Sequence, residues 1–112
     1  MGEPRGDEKP ELAMALEVVW TERASLQFDQ IKAWVHDPEK EEVLSSFVNH
    51  VFNILDLLSV FPEMGMVEDK QKGIRGFLVS RHHRLFYRLT SKQLIILAIF
   101  DQRMDQRKKA LS

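Results

Sequence analysis

The longest unbroken run of apolar residues lies near the end of the chain, from Leu94 to Phe100. A strand with one face in water alternates apolar and polar residues, and this run does not. A buried helix is the alternative, but the run is short, rich in isoleucine and bounded by polar residues on both sides. The pattern therefore predicts a central strand that the two preceding segments pair with and that two helices cover.

Two stretches upstream repeat their apolar residues with a helical period. In the first, Thr21 is a suitable N-cap, and the predicted apolar face, widened by Trp34, consists of Ala24, Phe28, Ile31 and Val35. Asp37-Pro38 ends this helix and starts a second one, predicted from Pro38 to Leu58. Its apolar stripe consists of Leu44, Phe47, Val48, Val51, Ile54, Leu55 and Leu58. The stripe spans only two to three heptads, so an αα-hairpin packed on a sheet is favoured over a coiled coil.

The remaining segments predict strands separated by turns. Ala15 to Trp20 is a short apolar strand, Phe61 to Gly65 is an exit turn, and Val67 to Lys72 is a polar loop. Strands follow at Ile74 to Ser80 and Arg84 to Leu89, and a tight turn leads into Leu94. The predicted order is β-α-α-β-β-β, an α+β fold in which a helical hairpin packs on one face of a small, mainly antiparallel sheet.

Composition separates a leader from one folded domain. Residues 1–13 hold two prolines, two glycines and six charges, so we expect a disordered leader, and residues 14–112 form a single domain. The absence of cysteine excludes disulfides and thiolate chemistry. No unbroken apolar run approaches the length of a membrane span, and the first residues do not resemble a secretion signal, so we expect a cytoplasmic protein.

The net charge of −1 hides a strong asymmetry along the chain. Residues 1–69 carry 15 acidic and 5 basic side chains, whereas residues 70–112 carry 2 acidic and 11 basic ones. A basic half favours an acidic partner, either protein or nucleic acid. Neutralisation of one half by the other is the simpler alternative.

Several short motifs, in this order and spacing, resemble the RelE/ParE superfamily of bacterial toxin–antitoxin toxins over about residues 16 to 109. They are Val19-Trp20-Thr21-Glu22-Arg23-Ala24, Phe61-Pro62-Glu63-Met64-Gly65, Gly73-Ile74-Arg75, Arg84-Leu85-Phe86-Tyr87 and the run from Ile95 to Ile99. The superfamily fold agrees with the β-α-α-β-β-β order predicted above. The resemblance implies a plasmid-stabilisation type toxin that a cognate antitoxin neutralises.

The resemblance also separates two modes of action. RelE-like members cleave messenger RNA on the ribosome, and ParE-like members poison DNA gyrase. Gly73-Ile74-Arg75 and the Arg84 motif look more like the ParE branch. The nuclease branch often ends its last strand with a histidine or tyrosine, where this chain has Phe100-Asp101-Gln102-Arg103. The nuclease branch also has a second arginine, and this chain has Phe77 and Leu78 near the aligned position instead. Because both nuclease features are replaced, the resemblance implies an inhibitor that acts by binding rather than an enzyme.

Cleavage of RNA through the 2′-hydroxyl needs a base, a cation for the phosphate and an acid for the leaving oxygen. The weaker candidates for these roles are His82, His83, Tyr87 and Asp101. The two histidines fall in a predicted turn, where we expect them to be solvated. Strand alternation places Tyr87 with Leu85 and Leu89 on the face that meets the helices. We therefore assign no catalytic residue, and we expect neither a cofactor nor a metal.

The stronger candidates form a basic surface of Arg75, Arg84, Arg88 and Arg103. Alternation puts Arg84 and Arg88 on the open sheet face, and we expect Arg75 and Arg103 to join them there. These arginines could hold phosphates, but pairing with an antitoxin, or with the acidic helices of the same chain, is favoured.

The final strand adds an expectation about partners. Because the helices cover one sheet face, either Ile95, Leu97 and Ile99 or Leu94, Ile96 and Phe100 must lie on the other. An antitoxin segment would cover them in a toxin–antitoxin hetero-oligomer, and a homodimer or the C-terminal tail are the alternatives. The expected target is DNA gyrase. A RelE-like ribosome-dependent ribonuclease acting on messenger RNA, or an inactive relative that only binds antitoxin, are the alternatives.

Overall fold

Five strands form one sheet, and two helices pack on one of its faces. The predicted α+β class, with a helical hairpin on a mainly antiparallel sheet, is thereby confirmed. The computed structural model describes residues 15–35 and 41–103. The predicted leader, the Asp37-Pro38 turn and the tail beyond Arg103 lie outside the described residues.

The elements follow one another closely along the chain. They are β1 (Glu17–Trp20), α1 (Glu22–Val35), α2 (Glu41–Val60), a 3-10 turn (Pro62–Met64), β2 (Met66–Asp69), β3 (Ile74–Leu78), β4 (His83–Leu89) and β5 (Gln93–Asp101). The strand order in the sheet is β1-β5-β4-β3-β2, with β1 parallel to β5 and the other neighbours antiparallel. The helical connection between β1 and the later strands is long enough to allow the parallel pairing.

The apolar run is a strand, as predicted, but its neighbours differ from those expected. β5 pairs with β4 on one side and with β1 on the other, and β3 pairs with β4 instead. The expectation that both preceding segments pair with the run is therefore wrong for β3. Because tight turns join β3 to β4 and β4 to β5, β4 lies between the other two strands, and the free edge of β5 pairs with β1.

The predicted polar loop after the exit turn is wrong, because Met66–Asp69 forms the edge strand β2. Its side chains are mostly exposed, so the apolar alternation that marks a half-buried strand is missing. Charged residues such as Glu68 and Asp69 are common in edge strands, where they discourage further pairing. The observed order is β-α-α-β-β-β-β.

Thr21 caps α1 as predicted and also ties the helix to the sheet. Its hydroxyl accepts the backbone N–H of Ala24 at 3.2 Å and donates to the carbonyl of Ile96 at 2.8 Å. On the predicted apolar face, Ala24, Phe28 and Ile31 are buried. Trp34 does not widen this face as predicted, since its side chain is 62% exposed.

The second helix ends at Val60, two residues later than predicted. By length and composition alone it is apolar enough to cross a membrane. The fold explains only part of this apolar character, because Val51, Leu55 and Leu58 are packed in the core, whereas Val43, Phe52, Leu57 and Val60 are exposed. Asn49 and Asn53 are exposed, as the predicted stripe requires.

A β-bulge in β5 decides which residues face the helices. The register shifts opposite Phe86 and Tyr87, which pair with Ala98 and Ile96 and leave Leu97 as the extra residue. As a result Leu94, Ile96 and Ile99 join the helix-facing core, whereas Leu97, Ala98 and Phe100 lie on the open face. Neither of the two alternating sets expected from the sequence is right, because both assumed an unbroken alternation.

Candidate functional site

The open face of the sheet carries a compact apolar surface, here named the open-face strip. It consists of Ile74, Phe86, Leu97, Ala98 and Phe100. The rings of Phe86 and Phe100 meet edge to face with their centres 5.8 Å apart. Both described helices pack on the other side of the sheet, and Leu97 and Phe100 remain partly exposed. Within the described residues, no helix covers the strip.

Two arginines lie directly over the rings of the open-face strip. The guanidinium carbon of Arg23, from the start of α1, is 5.8 Å from the ring centre of Phe100, and that of Arg84 is 5.9 Å from the ring centre of Phe86. A groove of about 300 Å³ crosses the same face and is lined by Thr21, Arg23, Ile74 and Leu97. An apolar floor bordered by guanidinium groups suits a peptide segment that combines apolar and acidic side chains.

Arg84 already has an acidic partner within the chain. Its Nη2 lies 2.7 Å from Oε2 of Glu68, and both side chains are partly exposed. Gly76 permits this pair, since a Cβ there would lie 2.7 Å from the same carboxylate oxygen. The expectation that Arg84 pairs with an acidic residue of the helices is wrong. Its acidic partner, Glu68, lies on the edge strand β2. Such a surface pair contributes about 0–1 kcal/mol, so an incoming carboxylate can replace it.

Arg88 and Arg75 lie on opposite sides of the sheet. Arg88 is exposed and alternates with Phe86 on the open face, as predicted. Arg75 pairs across the strands with Tyr87 on the helix-facing side, so the expectation that it joins the open face is wrong. Its Nη1 donates to the carbonyls of Gly65 at 2.8 Å and Glu63 at 3.4 Å. Arg75 thus holds the exit turn in place.

Tyr87 faces the helices, as predicted, and is fully buried. Its hydroxyl donates to the carbonyl of Pro62 at 2.6 Å and accepts the N–H of Gly65 at 3.0 Å. Burial raises the pKa of this phenol, which keeps it protonated. Three of the motifs that carry the family resemblance meet here, because the exit turn, Arg75 and Tyr87 form one hydrogen-bonded cluster.

The expectation that His83 is a solvated turn residue is wrong. His83 is the first residue of β4, and only 5% of it is exposed. The ring of Phe47 from α2 packs against it with a centre-to-centre distance of 4.8 Å. Its Nδ1 lies 2.6 Å from the hydroxyl of Ser80, and its Nε2 lies 3.4 Å from the carboxylate of Asp101. Burial lowers the pKa of His83, although the Asp101 carboxylate opposes this effect. His82, next to it, is only partly buried.

Asp101 is the last residue of β5. Its fully buried carboxylate accepts two hydrogen bonds from the Arg103 side chain, at 3.1 and 2.8 Å. These bonds hold the pKa of Asp101 below its usual range. Asp101 and Arg103 lie beside His83 at the rim of the helix-facing side. Arg103 therefore does not extend the row of open-face arginines.

The structure brings together Arg84, Arg88 and one residue that sequence reasoning did not select, Arg23. Arg23 is part of the family motif from Val19 to Ala24, but nothing in the sequence assigned it a place on the open face. Its place over Phe100 depends on the parallel pairing of β1 with β5, in which Trp20 lies opposite Ile96. Local periodicity carries no information about that pairing.

Comparison with known proteins identifies the family of the chain. Residues 18–106 match the model of a family described as ParE toxin of type II toxin–antitoxin system, parDE. A similar individual protein is Toxin ParE3 of Caulobacter vibrioides, which is 30% identical over 89 residues. That alignment covers 79% of this chain and 88% of the relative.

Proposed function

Since the chain belongs to the ParE toxin family and is the toxin of a type II toxin–antitoxin system, we propose that it acts in the cytoplasm by binding DNA gyrase. We further propose that its antitoxin neutralises it by covering the open-face strip. The observation that carries the antitoxin proposal is the strip itself. It is an apolar surface on the side of the sheet opposite the described helices, with guanidinium groups over both of its rings.

The open-face strip defines the chemistry of the antitoxin segment. Apolar side chains of that segment would pack on Leu97 and Phe100 and fill the groove beside Ile74. Acidic side chains at the edges of the segment would pair with Arg23 and Arg84, in the latter case by displacing Glu68. Charge pairs of this kind mainly set the association rate and the choice of partner.

Inhibition by binding is favoured over RNA cleavage by the positions of the acid–base candidates. The Tyr87 hydroxyl is held by Pro62 and Gly65, and His83 is covered by Phe47. Asp101 is buried and paired with Arg103. A general acid or base must reach the proton that it transfers, and these three groups lie on the helix-facing side or inside the core.

The decisive experiment is controlled expression with and without the antitoxin encoded beside this toxin. We expect DNA breaks and inhibited supercoiling by purified gyrase, with ribosome-bound messenger RNA left intact. Cleavage of ribosome-bound messenger RNA would instead identify a RelE-like ribonuclease. Growth without arrest, together with tight antitoxin binding, would identify an inactive relative.

The antitoxin surface is tested separately by substitution. Arg23→Glu and Leu97→Asp are expected to weaken antitoxin binding about tenfold or more, because each places a carboxylate where the proposed segment brings acidic or apolar groups. Arg81→Glu is the matched control, since Arg81 is exposed in the turn between β3 and β4, away from the strip. Equal binding by all three variants, measured by titration calorimetry, would exclude the open-face strip as the antitoxin site.

A further inference from the structure

A second apolar surface lies at the end of α2 and in the turn that follows it, and we name it the ridge. It consists of Leu57, Val60, Phe61 and Met64, which are 41%, 41%, 57% and 43% exposed. The four residues are contiguous, because Phe61 continues the helical bonding to Leu57 at 2.8 Å and the N–H of Met64 donates to the carbonyl of Phe61 at 3.1 Å. Single exposed apolar residues are ordinary, but four adjacent ones mark an interaction surface.

The turn that carries the ridge is held by the sheet beneath it. Tyr87 binds the backbone of Pro62 and Gly65, and Arg75 binds the carbonyls of Glu63 and Gly65. Four hydrogen bonds from two side chains therefore fix a short segment while Phe61 and Met64 remain exposed to solvent. A surface that is ordered in advance loses less conformational entropy when it binds a partner.

The charges around the ridge are opposite to those of the open face. The segment from Glu41 to Gly65 contains no lysine or arginine, and the acidic side chains next to the ridge are Asp56, one helical turn before Val60, and Glu63, directly before Met64. The open face instead carries the guanidinium groups of Arg23, Arg84 and Arg88. Arg75 lies on the helix-facing side, where its guanidinium binds the carbonyls of Glu63 and Gly65. One molecule thus presents two apolar surfaces, one suited to an acidic partner and one suited to a basic partner.

We propose that the ridge binds the toxin's cellular target through a protein surface that is apolar at its centre and bordered by lysine or arginine, whereas the antitoxin occupies the open-face strip. This inference rests on the proposed function, in which the toxin acts by binding a protein. Met66 connects the two surfaces, because it lies two residues after Met64 of the ridge, pairs with Gly76 on the open face and is 67% exposed. An antitoxin that covers the open face as far as β2 therefore excludes the target from the ridge.

The test uses the full chain carrying Phe61→Ser with Met64→Ser, and separately Glu63→Lys. Growth arrest after induction measures target binding in the cell, and co-purification with the antitoxin encoded beside the toxin measures the open face. We expect the dose of toxin needed for arrest to rise about tenfold or more in both variants, with antitoxin capture unchanged. Leu26→Ser, at an exposed apolar position on α1, is the matched control and is expected to behave as wild type.

The outcomes separate this inference from the proposed function. If wild-type toxin does not arrest growth, the proposed function itself fails. If wild type arrests growth and the ridge variants do so equally well, the ridge is not the target surface. Loss of antitoxin capture by the ridge variants overturns the assignment of two separate surfaces. Glu63→Lys keeps the test valid if the double serine variant melts early, because this exposed side chain leaves the apolar residues in place.

Discussion

At the scale of single residues, the hydroxyl of Tyr87 has a structural role. We expect Tyr87→Phe to lower the free energy of unfolding by about 1–3 kcal/mol, because the variant leaves the N–H of Gly65 and the carbonyl of Pro62 without their partner inside the protein. Urea unfolding measures the change. Arg88→Gln on the same strand is the control and should remain within about 0.5 kcal/mol of wild type, since Arg88 is exposed. If Tyr87→Phe has the same free energy of unfolding as wild type, the hydrogen bonds from Tyr87 do not stabilise the turn at Pro62 and Gly65.

His83 makes the protein less stable as the pH falls, because its pKa is lowered by burial. Burial lowers its pKa in the folded protein, so the unfolded chain binds more protons below about pH 6.5, the ordinary value for histidine. Stability is therefore fully present above that pH and is lost as the pH falls. The depressed pKa of Asp101 acts in the same direction at lower pH, beginning below about 4.

The substitution that isolates this effect is His83→Gln. We expect the variant to show a smaller fall in urea midpoint than wild type between about pH 7 and pH 5, because glutamine does not titrate. A wild-type slope in His83→Gln would show that another group causes the acid sensitivity.

At the scale of elements, the bulge in β5 separates two adjacent residues by their surroundings. Ile96 is fully buried between sheet and helices, so Ile96→Asp is expected to abolish folding by placing an unpaired carboxylate in the core. Leu97 lies on the open face and is partly exposed, so Leu97→Asp is expected to remain folded. The sequence pattern alone predicts the same loss of folding for both. Circular dichroism and thermal melting of the two variants decide between the two accounts.

At the scale of the whole molecule, the charge asymmetry of the sequence becomes a division between surfaces. The segment from α2 through the following turn is acidic, and the strands from β3 to β5 are mainly basic. Within residues 15–35 and 41–103, the predicted functional arginines form ion pairs with Glu68 and Asp101, which lie on strands and not on helices. Neutralisation within the chain is therefore local, and it leaves both surfaces with a charge that a partner can recognise.

The leader supplies a prediction at the same scale. A chain that starts at Met14 is expected to melt within about one or two degrees of the full chain, because the composition of residues 1–13 offers little to bury. Differential scanning calorimetry of the two chains makes the comparison. A drop of many degrees would show that the leader packs against the domain.

The sequence by itself determined the elements with a strong local pattern. The periods of α1 and α2, the cap at Thr21 and the apolar run of β5 all depend on residues close together in the chain. The facing of Leu85 and Tyr87 likewise follows from simple alternation within β4. Order and turn length then fixed the fold class, since few arrangements bury two apolar helices and a meander at once.

Only the tertiary structure decided which residues meet across the sheet. The bulge, the edge strand β2 and the burial of His83 depend on register and on neighbours distant in sequence, which no local pattern encodes. The same holds for Arg23, which reaches Phe100 through the β1–β5 pairing, and for Arg75, which lies on the side opposite to that expected. A one-residue change of register moves a side chain to the other face of a sheet, so the functional surfaces are set by pairing rather than by composition.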